Sequence, residues 1–193
     1  MKSLKTVCLA AGAAMLVANA RAGEPGKMYL DLDAGPAFLQ DVTIKSGPGA
    51  GSTLTFDTGV RADAGFGYNV TDALSVELES GVVWNSGKNV SGDVYQIPVL
   101  FEGIWNIPVN GAWSAYIGGG VGGVWTDVES GGTSNSDFVF AFSGVAGLKY
   151  KLSDKADVGI AYKFLGSLDH NFGGSNTDPG YTHSVLASLN WKF

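Results

Sequence analysis

The stretch Leu54–Tyr68, LTFDTGVRADAGFGY, decides the fold. Its even positions are Leu54, Phe56, Thr58, Val60, Ala62, Ala64, Phe66 and Tyr68. Its odd positions are Thr55, Asp57, Gly59, Arg61, Asp63, Gly65 and Gly67. A period of two is the signature of a β-strand, in which successive side chains point to opposite faces. One face is apolar; the other is glycine and small polar residues with a few charges of both signs. A face turned to water normally carries dense Lys and Glu. A polar face this small and sparsely charged suits an enclosed interior, which leaves the apolar face to meet lipid.

The same alternation recurs on either side of this stretch. Segments 27–39, 73–84, 93–106, 112–126, 137–152, 156–166 and 180–193 join 54–68 to make eight. Each has roughly the 9–11 residues that a tilted strand needs to cross the apolar zone. Leu74, Val76, Leu78, Val82 and Trp84 share one face, opposite Ser75, Glu77 and Glu79. Phe138, Phe140, Phe142, Ala146, Leu148 and Tyr150 share another. The five Trp (Trp84, Trp105, Trp113, Trp125 and Trp191) all have apolar-face parity near strand ends, as in the aromatic girdle of a membrane barrel. Short connections (69–72, 107–111, 153–155) alternate with longer Gly/Ser/Asn/Asp-rich ones (40–53, 85–92, 127–136, 167–179). The fold predicted is all-β: an eight-stranded antiparallel up-and-down transmembrane β-barrel, with both termini and the short turns on the periplasmic side. Closure leaves no unpaired edge in lipid.

The chain has 193 residues, with 29 Gly and 16% charged residues, enough for one domain. Lys2 and Lys5, the apolar run Thr6–Ala18 and Ala20-Arg21-Ala22 read as a signal peptide over 1–22, leaving 23–193 as the barrel domain. Cleavage removes three of the 12 basic residues and none of the 18 acids, so the mature chain carries nine against 18, a formal charge of −9. That is a poor footprint for nucleic acid, which is excluded as a partner. Cys8, the one cysteine, lies in the removed segment, so neither a disulfide nor a thiolate site is expected.

The ending Tyr181–Phe193, YTHSVLASLNWKF, with Gly159-Ile160-Ala161-Tyr162-Lys163-Phe164 before it, resembles the closing strands of small outer-membrane β-barrel proteins. That family includes OmpA-like transmembrane domains and opacity and Omp25-type surface proteins. The resemblance covers the whole mature chain and implies insertion in a bacterial outer membrane, among its lipid and lipopolysaccharide. It also implies that Val185, Ala187, Leu189, Trp191 and Phe193 form the signal presented to the outer-membrane assembly machinery. The sequence ends at Phe193, which departs from OmpA-type proteins with a periplasmic cell-wall domain, so tethering to the wall is not expected. A monomer is expected.

Eleven charged residues have polar-face parity: Asp31, Asp33, Asp57, Arg61, Asp63, Glu77, Glu79, Glu102, Lys149, Asp157 and Lys163. An eight-stranded barrel is just wide enough inside for side chains. Unpaired charge there is costly, so the cations should find carboxylates and plug the lumen. The function expected is structural or surface-interacting, with a gated low-conductance pore as the alternative and a lipid-modifying enzyme a distant third. Enzyme activity is not expected. His183 and Ser184 invite comparison with lipid A deacylases, but adjacent strand residues face opposite ways. Two histidines, His170 and His183, make a poor metal site, and no cofactor is expected. Gly118–Gly123 matches G-x-G-x-x-G but lies within a strand, where no helix follows to hold a dinucleotide. Asn69-Val-Thr71 and Asn89-Val-Ser91 match a glycosylation pattern that is frequent by chance. The long loops read as mobile, solvated segments with no binding hot spot.

Overall fold

The computed structural model describes residues 24–89, 92–130 and 132–193; the proposed signal peptide over 1–22 lies outside them. Eight strands form a closed antiparallel barrel: β1 Met28–Leu39, β2 Gly59–Asn69, β3 Leu74–Ser86, β4 Gly92–Asn110, β5 Trp113–Ser130, β6 Thr133–Lys151, β7 Ala156–Ser167 and β8 Tyr181–Lys192. Each pairs with its sequence neighbours. The ring closes where Leu32 of β1 faces Leu189 of β8 on one side and Ala64 of β2 on the other. Both ends of the barrel chain lie beside the short turns.

The alternation of the sequence is the alternation of the wall. In β2, burial and exposure switch at every residue, with Arg61 and Asp63 buried and Val60 and Phe66 exposed. The apolar parity faces outward and the polar parity inward, the reverse of a soluble barrel. Ladder closure satisfies the backbone groups that lipid could not. The ladder skips two residues at each of two places and shifts register at a third, Pro108/Asn110, each time beside a proline, which has no N–H to give. Pairing of β1 with β8 skips Gly35 and Pro36, and pairing of β3 with β4 skips Ile97 and Pro98. At the second opening the Ser80 hydroxyl donates to the Pro98 carbonyl at 2.8 Å.

Interior bulk is matched by missing side chains. A Cβ on Gly147 would come within 2.5 Å of the Tyr116 ring, and one on Gly120 within 2.6 Å of the Glu102 side chain. The glycine run of β5 is therefore wall that lets Glu102 and Ile104 into the lumen.

The outer end departs from expectation. Strands β4, β5 and β6 run on for 19, 18 and 19 residues, so the predicted loop 127–136 is mostly hairpin, paired as far as Ser130 and Thr133. Gly132, at φ +81°, sits in its turn, a conformation that favours glycine. Two other outer connections build a small sheet. Val42–Ser46 pairs with Thr53–Leu54 and with Ser175–Thr177, which in turn pairs with Asn171–Phe172. Phe56 bridges to Gly87. Connections 40–58 and 168–180 are thus one cap, not two separate solvated loops. The predicted strand 54–68 breaks as a result: residues 54–58 belong to the cap side, and the barrel strand begins at Gly59.

Candidate functional site

The lumen has two levels of opposite chemistry. The lower is a charged floor built by alternate residues of facing strands. Arg61, 1% exposed, donates from Nε to Asp63 Oδ2 at 2.6 Å and from Nη2 to Glu79 Oε1 at 3.0 Å. Lys163 Nζ lies 2.7 Å from Asp33 Oδ2 and 3.7 Å from Asp63 Oδ2, and it also donates to Glu79. Lys163 stands on β7 and Glu79 on β3, four strands apart in a ring of eight, so this bond crosses the full width of the barrel. Lys149 Nζ is 3.9 Å from Asp31 and sits 4.5 Å over the Tyr116 ring. Asn190 donates to Asp31 at 3.2 Å, and the Ser143 hydroxyl donates to Glu102. Voids of about 20 and 10 Å³ flank these groups, little more than a water molecule each needs.

Ten of the eleven charges read as inward are buried in the lumen: Asp31, Asp33, Arg61, Asp63, Glu77, Glu79, Glu102, Lys149, Asp157 and Lys163. Asp57 is the correction. It is exposed, because residues 54–58 have left the barrel wall for the cap and parity no longer points it inward. Asp157 pairs with a residue missing from that set: Lys192 Nζ lies 2.6 Å from its Oδ2 at the short-turn end of the barrel. The inward parity of Asn190 and Lys192 on β8 carried that signal. Two carboxylate trios, Asp33/Asp63/Glu79 and Glu77/Glu79/Glu102, each bring one oxygen apiece within 4.8 Å of one another, close enough to hold a metal ion. In the first trio the Lys163 ammonium already takes a cation's place.

The Trp set divides between the ends. Trp84 and Trp125 lie toward the outer loops; Trp105, Trp113 and Trp191 lie toward the short turns, Trp113 edge-on to Tyr150 at 5.0 Å. Val185, Ala187, Leu189, Trp191 and Phe193 all face outward. His183 also faces outward, bonded to Tyr162 Oη at 2.7 Å and Gln40 Nε2 at 2.8 Å, whereas Ser184 is buried inside.

The upper level is an apolar chamber of about 200 Å³ between the cap and the barrel mouth. Val42, Ile44, Leu54 and Phe56 come down from the first outer connection and Phe172 from the last; Val94 and Val128 rise from the wall. Polar groups keep to a few places. Gln96 accepts from Thr182 at 3.0 Å, which crosses from β4 to the opposite β8 beneath the chamber. Asp93, Glu129 and Asp178 also line it; Asp178 is held by Lys45 at 3.2 Å, and Lys45 ties Asp169 at 2.9 Å.

His170 lies in the connection 168–180 as its sequence places it, but it is buried in the chamber wall rather than solvated and stacks on Phe172 at 5.1 Å. Burial pushes its pKa below the ordinary value, against the opposing pull of Asp137 and Asp169, so the ring is neutral at neutral pH. Ser167 Oγ lies 3.1 Å from His170 Nε2, and Asp137 Oδ2 lies 3.8 Å from His170 Nδ1. That is the order of a hydrolytic triad. Here, however, Ser167 is 1% exposed and its Oγ accepts from Gly180 N at 3.2 Å, while Asp137 Oδ2 accepts from Asn171 N at 2.8 Å. All three side chains hold the ends of one connection to the barrel.

The sequence matches the profile of the outer membrane protein beta-barrel domain over residues 6–193. No curated protein matches it. Solved structures with the same fold include Neisserial surface protein A (NspA), 15% identical, with 86% of this chain and 97% of that one aligned at a TM-score of 0.63. Another is OprG from Pseudomonas aeruginosa, 17% identical, 91% and 99% covered, at 0.61. A third is Ail of Yersinia pestis, 13% identical, 88% and 100% covered, at 0.51. Fold, inward charge and outward apolar parity agree with the profile over nearly the whole length: the chain belongs to the outer membrane protein beta-barrel domain family.

Proposed function

We propose that the protein is a sealed barrel of the bacterial outer membrane, structural in its wall and interactive at its outer cap, rather than a pore. The observation that carries this is the floor in which Arg61, Asp63, Glu79, Lys163 and Asp33 reach one another across the lumen. Five interlocked side chains from four strands leave no path for a hydrated ion, and each charge that moved would leave another unpaired. The outward β8 residues Val185, Ala187, Leu189, Trp191 and Phe193 serve on this reading as the handle for the assembly machinery. Residues 1–22 serve as the export signal. Lipid and lipopolysaccharide surround a monomer.

Planar-bilayer recording tests the seal. Purified protein should give no discrete conductance steps, and Arg61→Gln or Glu102→Gln should introduce them by loosening the floor. Reproducible steps from the unaltered protein would instead make it a narrow pore. Hydrolysis of 4-nitrophenyl hexanoate at a rate lost in Ser167→Ala would make the Ser167–His170–Asp137 trio catalytic; the buried serine predicts none.

A further inference from the structure

We infer that the chamber beneath the cap is a binding site for a small, uncharged, mostly apolar molecule of about six to ten non-hydrogen atoms. The argument begins with size. A cavity of about 150 Å³ lined by aliphatic and aromatic side chains stays dry and takes up benzene; this one is about 200 Å³. The chain's own side chains leave this space at the barrel mouth unfilled, whereas the floor below leaves voids of only about 10–20 Å³.

The construction of the walls points the same way. Val42, Ile44, Leu54 and Phe56 belong to a segment above the membrane strands, where an apolar side chain gains nothing from lipid. The cap sheet turns them toward one another over the mouth and adds Phe172 from 130 residues further along the chain. Four paired segments and the Lys45 ties to Asp169 and Asp178 hold that roof in place. A roof assembled from two distant connections, apolar beneath and polar above, is a built chamber.

Charge sets the class of ligand. The charged groups among the lining residues are carboxylates (Asp93, Glu129 and Asp178), and neither Lys nor Arg is among them. An anionic amphiphile would bring its charge against Asp93 and Glu129, while Lys45, beside Asp178, is already shared between two carboxylates. Thr126 and His170 line the chamber, but Thr126 Oγ1 and His170 Nδ1 are buried away from its surface and offer a ligand nothing polar. The floor closes the lumen below, so the site is a receptacle at the cell surface, not a stage on a route straight through the barrel.

The probe is 1-hexanol, titrated into the full barrel in lipid nanodiscs and followed by methyl NMR of Ile44, Val94 and Val128. Saturable shifts of these methyls are expected, with hexanoate binding about tenfold or more weakly. Two fillers, Val128→Phe on the barrel wall and Leu54→Phe in the cap, should each abolish saturation while keeping the heat-dependent gel shift of a folded barrel. Should one fail to fold, the other decides. Shifts that climb without saturating, that persist in the folded filler, or that hexanoate reproduces at equal concentration would overturn the inference. None of these outcomes depends on whether the barrel conducts.

Discussion

The floor and the chamber share one lumen, one set of strands and nearly one width, yet they obey opposite rules. On the floor, charges from facing strands interlock and voids shrink to about 10–20 Å³. In the chamber, a short distance outward, charge withdraws to the edges and about 200 Å³ is left open. The difference lies in what completes each level. The floor is completed by the barrel alone, since every member sits on a strand fixed by two neighbours. The chamber needs a roof from outside the barrel, and that roof rests on four strands of two to five residues. Short strands have little stability of their own. One level should therefore unfold with the whole molecule and the other ahead of it.

The largest test of that contrast is Lys163→Met. It leaves Asp33, Asp63 and Glu79 with one cation, Arg61, among three buried carboxylates. Breaking a buried network by removing one partner costs about 3–5 kcal/mol. Urea unfolding in lipid vesicles should show a loss of that order for the entire barrel; a loss confined to the cap would break the comparison. Next is Phe172→Ala, which removes roof without touching the floor. Amide exchange at Thr177 and Ile44 should accelerate about tenfold, the mark of a local opening, while the amides of β2 and β3 keep their protection.

The smallest effect is acid sensitivity. The pKa of His170 in the folded cap lies below its ordinary value of about 6.5, so the opened cap binds more protons across the interval between the two. Its contribution is complete above pH 6.5 and fades as pH falls from there toward the folded value. Cap exchange should rise on acidification over that window and flatten in His170→Gln. Carboxylates stand nearby as well, and a free carboxylate in water titrates near pH 4. A transition centred there would assign the effect to them instead.

The floor was legible in the sequence and the chamber was not. Alternation in LTFDTGVRADAGFGY already separates Arg61 and Asp63 from Val60 and Phe66, because each residue's face in a strand depends only on its parity. Parity does not say which sheet a strand belongs to. Thr55 and Asp57 continue the rhythm of β2 without a break, yet the chain has crossed into the cap by then, and Asp57 ends up exposed. The segment 127–136 looked like a loop because Asp, Glu, Ser and Gly are also turn residues; pairing of β5 with β6 above the membrane uses the same residues as strand. The chamber gathers side chains from stretches as far apart as Leu39 and Asp178. Val42 and Ile44, between Gln40-Asp41 on one side and the Gly/Pro-rich 46–52 on the other, carry no local sign of the Phe172 they share a cavity with. Ser167, Asp137 and His170 were likewise too scattered to be read together.

The span of Lys163 has a consequence for the order of events in assembly. Asp33 sits on β1, Glu79 on β3 and Lys163 on β7, and in a growing, unclosed sheet β1 and β7 are near opposite margins. Lys163 cannot touch Asp33 until β8 has been laid down and stitched to β1. In the closed barrel its ammonium has three carboxylate neighbours. The charged floor therefore works as a clasp that fastens only on a finished hoop: a chain halted one strand short leaves Lys163 and Asp33 without each other.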